Sequence, residues 1–489
     1  MRRYQSTPFP LTSAGRKLSQ FFIRAAGSII SSSHSGFNFL REVCRYMGQS
    51  HGTYFQRNDQ NASADQGEHL VIRIKQLLES SRRPLRPGEC CIYTVPHHLR
   101  KLNEEAYTPQ VISIGPFHHG NEKLQNILEE YKVRYLEDFM GRAQTNLENL
   151  VRIVKGLEER IRQCYAETIE LDSDEFVKMI LLDAAFIIEY FLRDMFPVQW
   201  TDEDRTVIKP WITARMKLDF LLLENQLPFF ILEDLYQLVL VTHRIYRPFI
   251  EVAFLYFRFL NTQDKSSESD EFNGIIHFVD LIRIFYLPPP GTLSERHELD
   301  SGVEKIYCAT QLAEAGLTFK KSGSKCYLDL KYHKGGELEI PRFTIDNTTE
   351  ILARNLMALE QCHYPTEAYV TDYFLLLDFL VDTGKDVALL AQKKILVNGM
   401  GDDNATFINN LGTNVQFSSM SPEYHRLCRD IVEFHDSNWN RWKAILKRDY
   451  LSTPWRVVAT IAAILVLAFT LTQAICSIIS VLPSKRRNL

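Results

Sequence analysis

The chain has 489 residues, of which 45% are hydrophobic and 24% charged, and its formal net charge is -4. This length is sufficient for a large hydrophobic core, and the slightly negative charge gives no general electrostatic reason to bind nucleic acid. The nine cysteines are scattered without a CxxC pair, which favours free thiols in a reducing compartment over a disulfide framework.

The first 67 residues have the composition of a basic and polar extension. Residues 1–41 contain six basic residues and no acidic one, and residues 48–67 are predominantly polar. This composition resembles an organellar transit peptide. A disordered extension is the preferred interpretation, because a C-terminal segment already provides a targeting signal. Residues 1–67 are therefore predicted to lie outside the folded body.

From residue 68 to residue 435 the sequence predicts a mainly α body. Residues 121–165 are charged and amphipathic, which indicates one long helix or a pair of helices. Residues 173–196 begin with Ser173, a suitable N-cap, and are then apolar almost all round. A helix without a polar face is expected to be buried among other helices.

The second half of the body contains a proline, polar loops and a β-hairpin pattern that are predicted to interrupt its helices. Residues 217–239 form another strongly apolar helical pattern, in which Pro228 must break or kink the helix. Polar loops are predicted near 262–273 and 287–302. Residues 325–345 alternate apolar and polar side chains around a Gly-Gly pair, which is typical of a small antiparallel β-hairpin. The expected fold is therefore mainly α, a large helical body with one small β element.

Residues 457–482 form a long apolar segment near the end of the chain. They comprise 26 residues without a charged side chain. As a helix they would extend about 39 Å, which exceeds the ~30 Å hydrocarbon core of a bilayer. The segment is therefore predicted to be a C-terminal transmembrane helix that contacts the lipid bilayer, followed by a basic tail at 483–489.

The residues beside this segment fit a membrane interface. Residues 436–456 are predicted to form an amphipathic helix at the lipid headgroups, where Trp and basic side chains are favoured. The predicted interfacial anchors are Trp439, Trp442, Lys447, Arg448, Trp455, Arg456, Lys485, Arg486 and Arg487. Basic residues are nearly balanced on the two sides, so their count does not decide the orientation. Because no signal peptide is recognisable, the interpretation is a single-pass, tail-anchored protein of the plasma membrane with a cytosolic body.

The usual catalytic and nucleotide-binding signatures are absent, and the first remaining candidates for chemistry are two histidine doublets. His97 and His98 form one doublet, and His118 and His119 form the other. Adjacent histidines point in different directions in an extended chain, and no cysteine or carboxylate follows at a recurring ligand spacing. The doublets are therefore expected to pack or to form turns, and an unrecognised metal-dependent enzyme is the alternative.

Two further polar groups are also interpreted as structural. Residues 401–404 (GDDN) could bind calcium, but the bidentate glutamate of a calcium loop is missing, so a helix-capping turn is preferred. Residues 224–228 (ENQLP) lie in an apolar pattern, where buried polar side chains must find partners. They are expected to form an internal hydrogen-bond cluster that stops or bends a helix, and a catalytic Glu224 is the alternative. No catalytic, cofactor-binding or metal-binding residue is assigned.

Several long segments carry a resemblance to a known family. They are CIYTVPHHLRKLNEEAYTPQVISIGPFHHGNEKL, DFLLLENQLPFFIL, ELEIPRFTIDNTTEILARNLMALEQC, YVTDYFLLLDFLVDTGKDVALL, GDDNATFINNLG and NWNRWKAILKRDYLSTPWRVVATIAAILVLAFTLTQ. These segments resemble the land-plant family catalogued as domain of unknown function 247, over most of the chain from Cys90 to Ser480. In DAAFIIEYF this chain has Ala184 and Ala185 where the family usually has a Gly-Cys pair, so it lacks that thiol.

The resemblance implies a plant single-pass membrane protein with a mainly helical body and no established catalytic activity. Some grass members of the family are associated with self-incompatibility as male determinants expressed in pollen. The leading hypothesis is therefore a non-enzymatic, membrane-anchored interaction or recognition module, without a cofactor and with an unidentified protein partner. A pollen-side self-incompatibility determinant is a special case of that hypothesis.

Overall fold

The computed structural model describes residues 70–72, 74–75, 90–121, 124, 128–243, 247–296, 306–346, 348–398, 404–415, 420–437 and 454–481. The chain divides into two compact units, Met1–Pro84 and Leu85–Leu489. In the first unit the described residues 70–72 and 74–75 are helical, in agreement with the helical pattern predicted after residue 68.

The N-terminal half of the second unit is built from helices around a buried central helix. The helices are α1 (His97–Arg100), α2 (Leu128–Ala143), α3 (Leu147–Gln163), α4 (Ser173–Met195), α5 (Asp202–Val207), α6 (Pro210–Asp219), α7 (Phe229–Thr242), α8 (Phe249–Tyr256) and α9 (Phe278–Tyr286). Short 3-10 helices occupy Glu104–Ala106, Pro197–Gln199 and Asp270–Phe272. The amphipathic region predicted at 121–165 is thus a helix pair, α2 and α3.

Helix α4 lies at the centre because its sequence offers no polar face. Sixteen of its 23 residues are buried, and it packs against α2, α3, α7 and α8. The predicted N-cap is wrong by one residue. Asp172 precedes the helix and its side chain accepts a hydrogen bond from the amide of Glu175 (2.9 Å), so Ser173 is the first helical residue. Ala184 and Ala185 are fully buried in this core.

The C-terminal half of this unit combines helices with two small sheets. Its helices are α10 (Ala309–Ala315), α11 (Thr349–Cys362), α12 (Tyr369–Leu380), α13 (Gly384–Gln392), α14 (Asn404–Gly412), α15 (Pro422–Asp436) and α16 (Pro454–Val481). The strands are β1 (Thr318–Lys321), β2 (Lys331–His333), β3 (Glu337–Ile340), β4 (Phe343–Ile345) and β5 (Leu396–Asn398). The mainly α fold with a small β element is therefore confirmed.

The predicted hairpin is present but it is part of a larger arrangement. Strands β2 and β3 pair antiparallel across Gly335 and Gly336, whose φ angles are +131° and +83°. Strand β1 adds to β3 in parallel, which gives the order β1-β3-β2. Strand β4, expected within the hairpin segment, instead pairs in parallel with β5. The segment 325–345 therefore contributes to two sheets.

The predicted apolar segment lies within α16 up to Val481. Its stretch Val457–Ile478 is long and apolar enough to cross a membrane, and it is not buried against the protein. Trp455, one of the predicted anchors, is 83% exposed. The other predicted anchors lie outside the described residues or have side chains that are not described. The same holds for residues 401–403 and for the predicted helix at 436–456 from residue 438 to residue 453.

Candidate functional site

The apolar segment formed by residues 111–115 belongs to neither sheet, and buried side chains bind its backbone. The carboxylate of Asp219, at the end of α6, accepts hydrogen bonds from the amides of Val111 (2.8 Å) and Ile112 (3.0 Å). Asn225 accepts one from the amide of Ile114 (2.7 Å) and donates one to the carbonyl of Ile112 (3.1 Å). These side chains supply the hydrogen bonds that a neighbouring strand would otherwise provide.

Gly115 ends this segment in a conformation that favours glycine. Its φ is +72°, and a Cβ atom there would lie 2.7 Å from the carbonyl oxygen of Gln226 and 3.0 Å from the hydroxyl of Tyr165. The Gly115 amide donates to Asp183 (2.8 Å), and that carboxylate also pairs with the buried Lys132 (2.7 Å). Glycine is therefore required where the segment passes Gln226.

Glu224 joins the two segments that contain the histidine doublets. Its Oε1 accepts a hydrogen bond from the amide of Val95 (2.6 Å). Its Oε2 pairs with the guanidinium of Arg100 in α1 and lies 3.0 Å from Nε2 of His118. Burial favours the neutral acid, but these contacts outweigh it and lower the pKa of Glu224. Glu224 is therefore an ionised group that fastens α1 to the GPFHHG turn.

Gln226 extends the same network toward α9. Its side-chain amide donates to the carbonyls of Phe220 (2.9 Å) and Leu222 (2.8 Å), and its carbonyl oxygen accepts from the amide of Phe278 (3.0 Å). The sequence-predicted hydrogen-bond cluster at 224–228 is thus confirmed, with the break at Pro228 between α6 and α7. We call Asp183, Asp219, Glu224, Asn225 and Gln226 the polar centre.

His277 is a buried residue that the sequence did not single out. Its Nδ1 accepts a hydrogen bond from the amide of Asp280 (3.2 Å), which caps α9, and its Nε2 donates to the carbonyl of Cys91 (3.1 Å). Burial lowers the pKa of His277 to about 3, so the ring is neutral at physiological pH. The imidazole therefore serves as a helix cap and as a link to the start of the body.

The histidine doublets do not combine into a metal-binding cluster. His118 contacts Glu224, whereas His97 and His119 are exposed and His98 is half-buried. None of the four belongs to a group of three ligand side chains with close donor atoms, within the residues that the structure describes. The packing or turn role predicted for the doublets therefore fits His118, and the metal-dependent alternative gains no support from the geometry.

The described residues contain such a group elsewhere, on the β2–β3 hairpin. The donor atoms of His333, Glu337 and Glu339 lie within 4.8 Å of one another. Lys320 already binds both carboxylates, that of Glu337 at 3.2 Å and that of Glu339 at 2.7 Å. The group is therefore an ion-pair network on the sheet surface.

A cavity of about 420 Å³ lies beside the loop that follows α9. We call it the proline-loop cavity, and its wall includes Leu287, Pro288, Leu293, Glu295, Glu367 and Tyr369. Its size is within the range of protein ligand sites. A neighbouring cavity of about 240 Å³ shares Pro288 and Leu293, but its wall carries both basic and acidic side chains. Among the residues that the structure describes, the wall of the proline-loop cavity contains carboxylates and no basic side chain.

Hydrogen bonds fix the loop that forms this cavity. The amide of Arg296 donates to the carbonyl of Thr366 (2.9 Å), and its guanidinium donates to the carbonyl of Ala368 (2.7 Å). The hydroxyl of Ser294 donates to Glu423 at the start of α15 (2.9 Å). Residues 294–296 therefore run beside residues 366–368, and this places Glu295 next to Glu367.

Sequence reasoning did not find this cavity. The sequence predicts a polar loop near 287–302 and gives no signal for Glu295, Glu367 or Tyr369. The run LPPPG does indicate a stiff loop, because proline fixes φ. Nothing local marks the two glutamates, since they come together only through the contacts of Arg296 with residues distant in the sequence.

The helical body, the polar centre and the apolar α16 define a class of mainly helical proteins, with one candidate membrane span among the residues that the structure describes. The chain belongs to a family of plant proteins of unknown function, domain of unknown function 247, whose sequence profile matches residues 92–469. It is 29% identical over 443 residues to a UPF0481 protein of Arabidopsis thaliana, covering 84% of this chain and 90% of that protein. It is 22% identical over 494 residues to a putative UPF0481 protein of the same plant, covering 81% and 92%. No solved structure matches the chain.

Proposed function

We propose that this protein is a non-enzymatic interaction module that α16 tethers to a membrane. The observation that carries the proposal is the stretch Val457–Ile478, a predominantly apolar run of 22 residues without a charged side chain that is not buried against the protein. Exposing such a surface to water is unfavourable, whereas a helix in hydrocarbon satisfies its own backbone hydrogen bonds and gains from contact with lipid. The bilayer is therefore the proposed environment of α16.

The polar centre supports the non-enzymatic part of the proposal. Asp219 and Glu224 are only 2% and 4% exposed, and their carboxylate oxygens accept hydrogen bonds from backbone amides. A general acid or base must reach a substrate proton, directly or through one water. Two carboxylates that bind the backbone inside the body are suited to hold segments together.

Substitutions within α16 test the tether. Each lysine near the middle of a membrane helix costs about 2.5–3.5 kcal/mol, so the variant Leu467→Lys/Leu471→Lys should be released from membranes by alkaline carbonate. The wild type should remain in the membrane pellet. The control Val198→Lys/Val241→Lys changes positions of the body that are 90% and 72% exposed, and it should also remain. Release of the wild type would contradict the proposal.

We also propose that the body faces the cytosol. No disulfide joins any two of the eight cysteines among the described residues, although the amide of Cys91 donates to the carbonyl of Cys164 (2.9 Å). Free thiols fit a reducing compartment. Protease added to sealed microsomes should then digest the body, and a protected body would refute this orientation.

A further inference from the structure

We infer that the proline-loop cavity binds an arginine or lysine side chain presented by a partner protein. The inference rests on the proposed function, because it names the chemistry of the partner that the tethered body would recognise. It is carried by the size and lining of the cavity, by the charge of its wall and by the contacts that fix its loop.

The apolar part of the wall suits the stem of a long cationic side chain. Leu287, Pro288, Leu293 and Tyr369 all line the cavity. Lysine and arginine bury their methylene groups against apolar surface while the charged end stays at a polar group. The volume of about 420 Å³ is sufficient for one such side chain.

The charge of the wall is not balanced by the protein itself. Glu271 is paired with Lys265 (2.8 Å), so its charge is already neutralised within the protein. Glu367 lies 3.8 Å from Arg283, but that guanidinium also binds the buried carboxylate of Glu360 at 3.1 Å. Glu295 is exposed and makes no ion pair with the described residues. Glu295 and Glu367 both line the cavity, and their carboxylates therefore attract a cation to it.

Tyr369 adds a second favourable contact for a guanidinium or ammonium group. Its ring can lie against the cation, an interaction worth about 0.5–2 kcal/mol in proteins. Burial and the neighbouring Glu367 raise the pKa of Tyr369 to about 12, so the phenol stays neutral and able to donate a hydrogen bond. Tyr369 can therefore contact the cation through its ring while its phenol remains neutral.

The wall is largely formed before a ligand arrives. The hydrogen bonds of Ser294 and Arg296 fix the loop, and Gln263 donates to the carbonyls of Phe285 (2.6 Å) and Leu287 (2.9 Å) at the end of α9. A fixed site loses little conformational entropy on binding. An acidic or phosphorylated ligand would be repelled by the two carboxylates, and a purely apolar one would leave them desolvated without a partner.

Binding of a small basic peptide tests this inference directly. The probe is a fluorescein-labelled peptide GSRSRSG, and its matched control has citrulline, the neutral analogue of arginine, at both arginine positions. Fluorescence anisotropy is measured with the full-length chain in a neutral detergent, so that anionic lipid cannot bind the peptide. The arginine peptide should bind, with an affinity that falls as salt is added, and the citrulline peptide should not.

Charge-neutralising variants assign the binding to the cavity. Glu295→Gln/Glu367→Gln should weaken binding of the arginine peptide about tenfold, which corresponds to about 1.4 kcal/mol. The control Glu105→Gln/Glu170→Gln removes the same number of charges from exposed positions elsewhere and should bind like the wild type. Equal affinity of the cavity variant and the wild type, or equal binding of both peptides, would overturn the inference. Either result would leave the membrane tether intact, because carbonate extraction measures the tether separately.

Discussion

Two glycines near the GPFHHG turn have the same backbone conformation in different surroundings. Gly115 and Gly120 have φ angles of +72° and +77°. A Cβ atom at Gly115 would overlap the carbonyl oxygen of Gln226, whereas nothing lies within 4 Å of the corresponding position at Gly120. The diagnostic stretch VISIGPFHHG thus contains one glycine that packing requires and one that only its backbone conformation favours.

This difference predicts unequal effects of alanine at the two positions. Gly115→Ala should lower the free energy of unfolding by more than about 2 kcal/mol, because backbone strain adds to the overlap with Gln226. Gly120→Ala is the matched control and should cost only the strain of about 1–2 kcal/mol. Urea denaturation of both variants measures the difference. Equal losses would show that the close approach to Gln226 does not constrain the fold.

At the scale of elements, the connection between α6 and α7 organises the first half of the body. The chain leaves α6 at Asp219 and enters α7 at Phe229 after Pro228, and the residues between them include Glu224, Asn225 and Gln226 of the polar centre. Asn225 is fully buried and binds three backbone groups, which belong to Ile112, Ile114 and Asp219. One side chain therefore joins the end of α6 to a segment that has no strand partner.

The variant Asn225→Ala should be strongly destabilised. It leaves an amide and two carbonyl groups without their buried partner, at about 1–3 kcal/mol for each unsatisfied group before relaxation, so a loss of about 3–5 kcal/mol is expected. Asn273→Ala removes an exposed asparagine that donates only to Asp270 (3.3 Å), and it should change stability by less than about 0.5 kcal/mol. Chemical denaturation gives both values. A small effect at Asn225 would argue against its role as a connector.

At the scale of the whole molecule, buried carboxylates influence how stability depends on pH. Burial raises the pKa of Asp219 to about 6 against its ordinary value of 3.8, although three backbone amides donate to it. Burial also raises the pKa of Asp372, which pairs with Arg296, to about 6. In both cases the folded pKa exceeds the unfolded one, so the stability that each group contributes is present below about pH 4 and is lost as pH rises to about 6.

Asp219→Asn isolates one of these contributions. Between pH 4 and pH 7 the wild type should lose stability relative to this variant, by about 1.4 kcal/mol for each unit by which the pKa is raised. Urea denaturation at several pH values measures the relative free energy of unfolding. Asp174→Asn, at a position whose side chain is 90% exposed, should show no comparable change. A gain of the wild type over Asp219→Asn with rising pH would contradict the raised pKa.

The sequence by itself determined the features that depend on neighbouring residues. Periodicity identified α2, α3 and α4, Pro228 marked the break before α7, the Gly335–Gly336 pair marked the β2–β3 turn, and the uncharged run marked α16. The exact N-cap of α4 is harder to predict, because Asp172 and Ser173 are both suitable N-cap residues. Only the structure shows that Asp172 accepts the hydrogen bond. Each of these features is set by contacts within a few residues, which is why composition and spacing reveal them.

Only the tertiary structure decided which distant residues meet. It paired β4 with β5, it placed Asp219 and Asn225 on the backbone of residues 111–115, and it brought Glu295 beside Glu367. No short-range pattern specifies these contacts, because each depends on how whole helices pack and on which buried polar groups then remain without a partner. The polar centre and the proline-loop cavity are products of that packing.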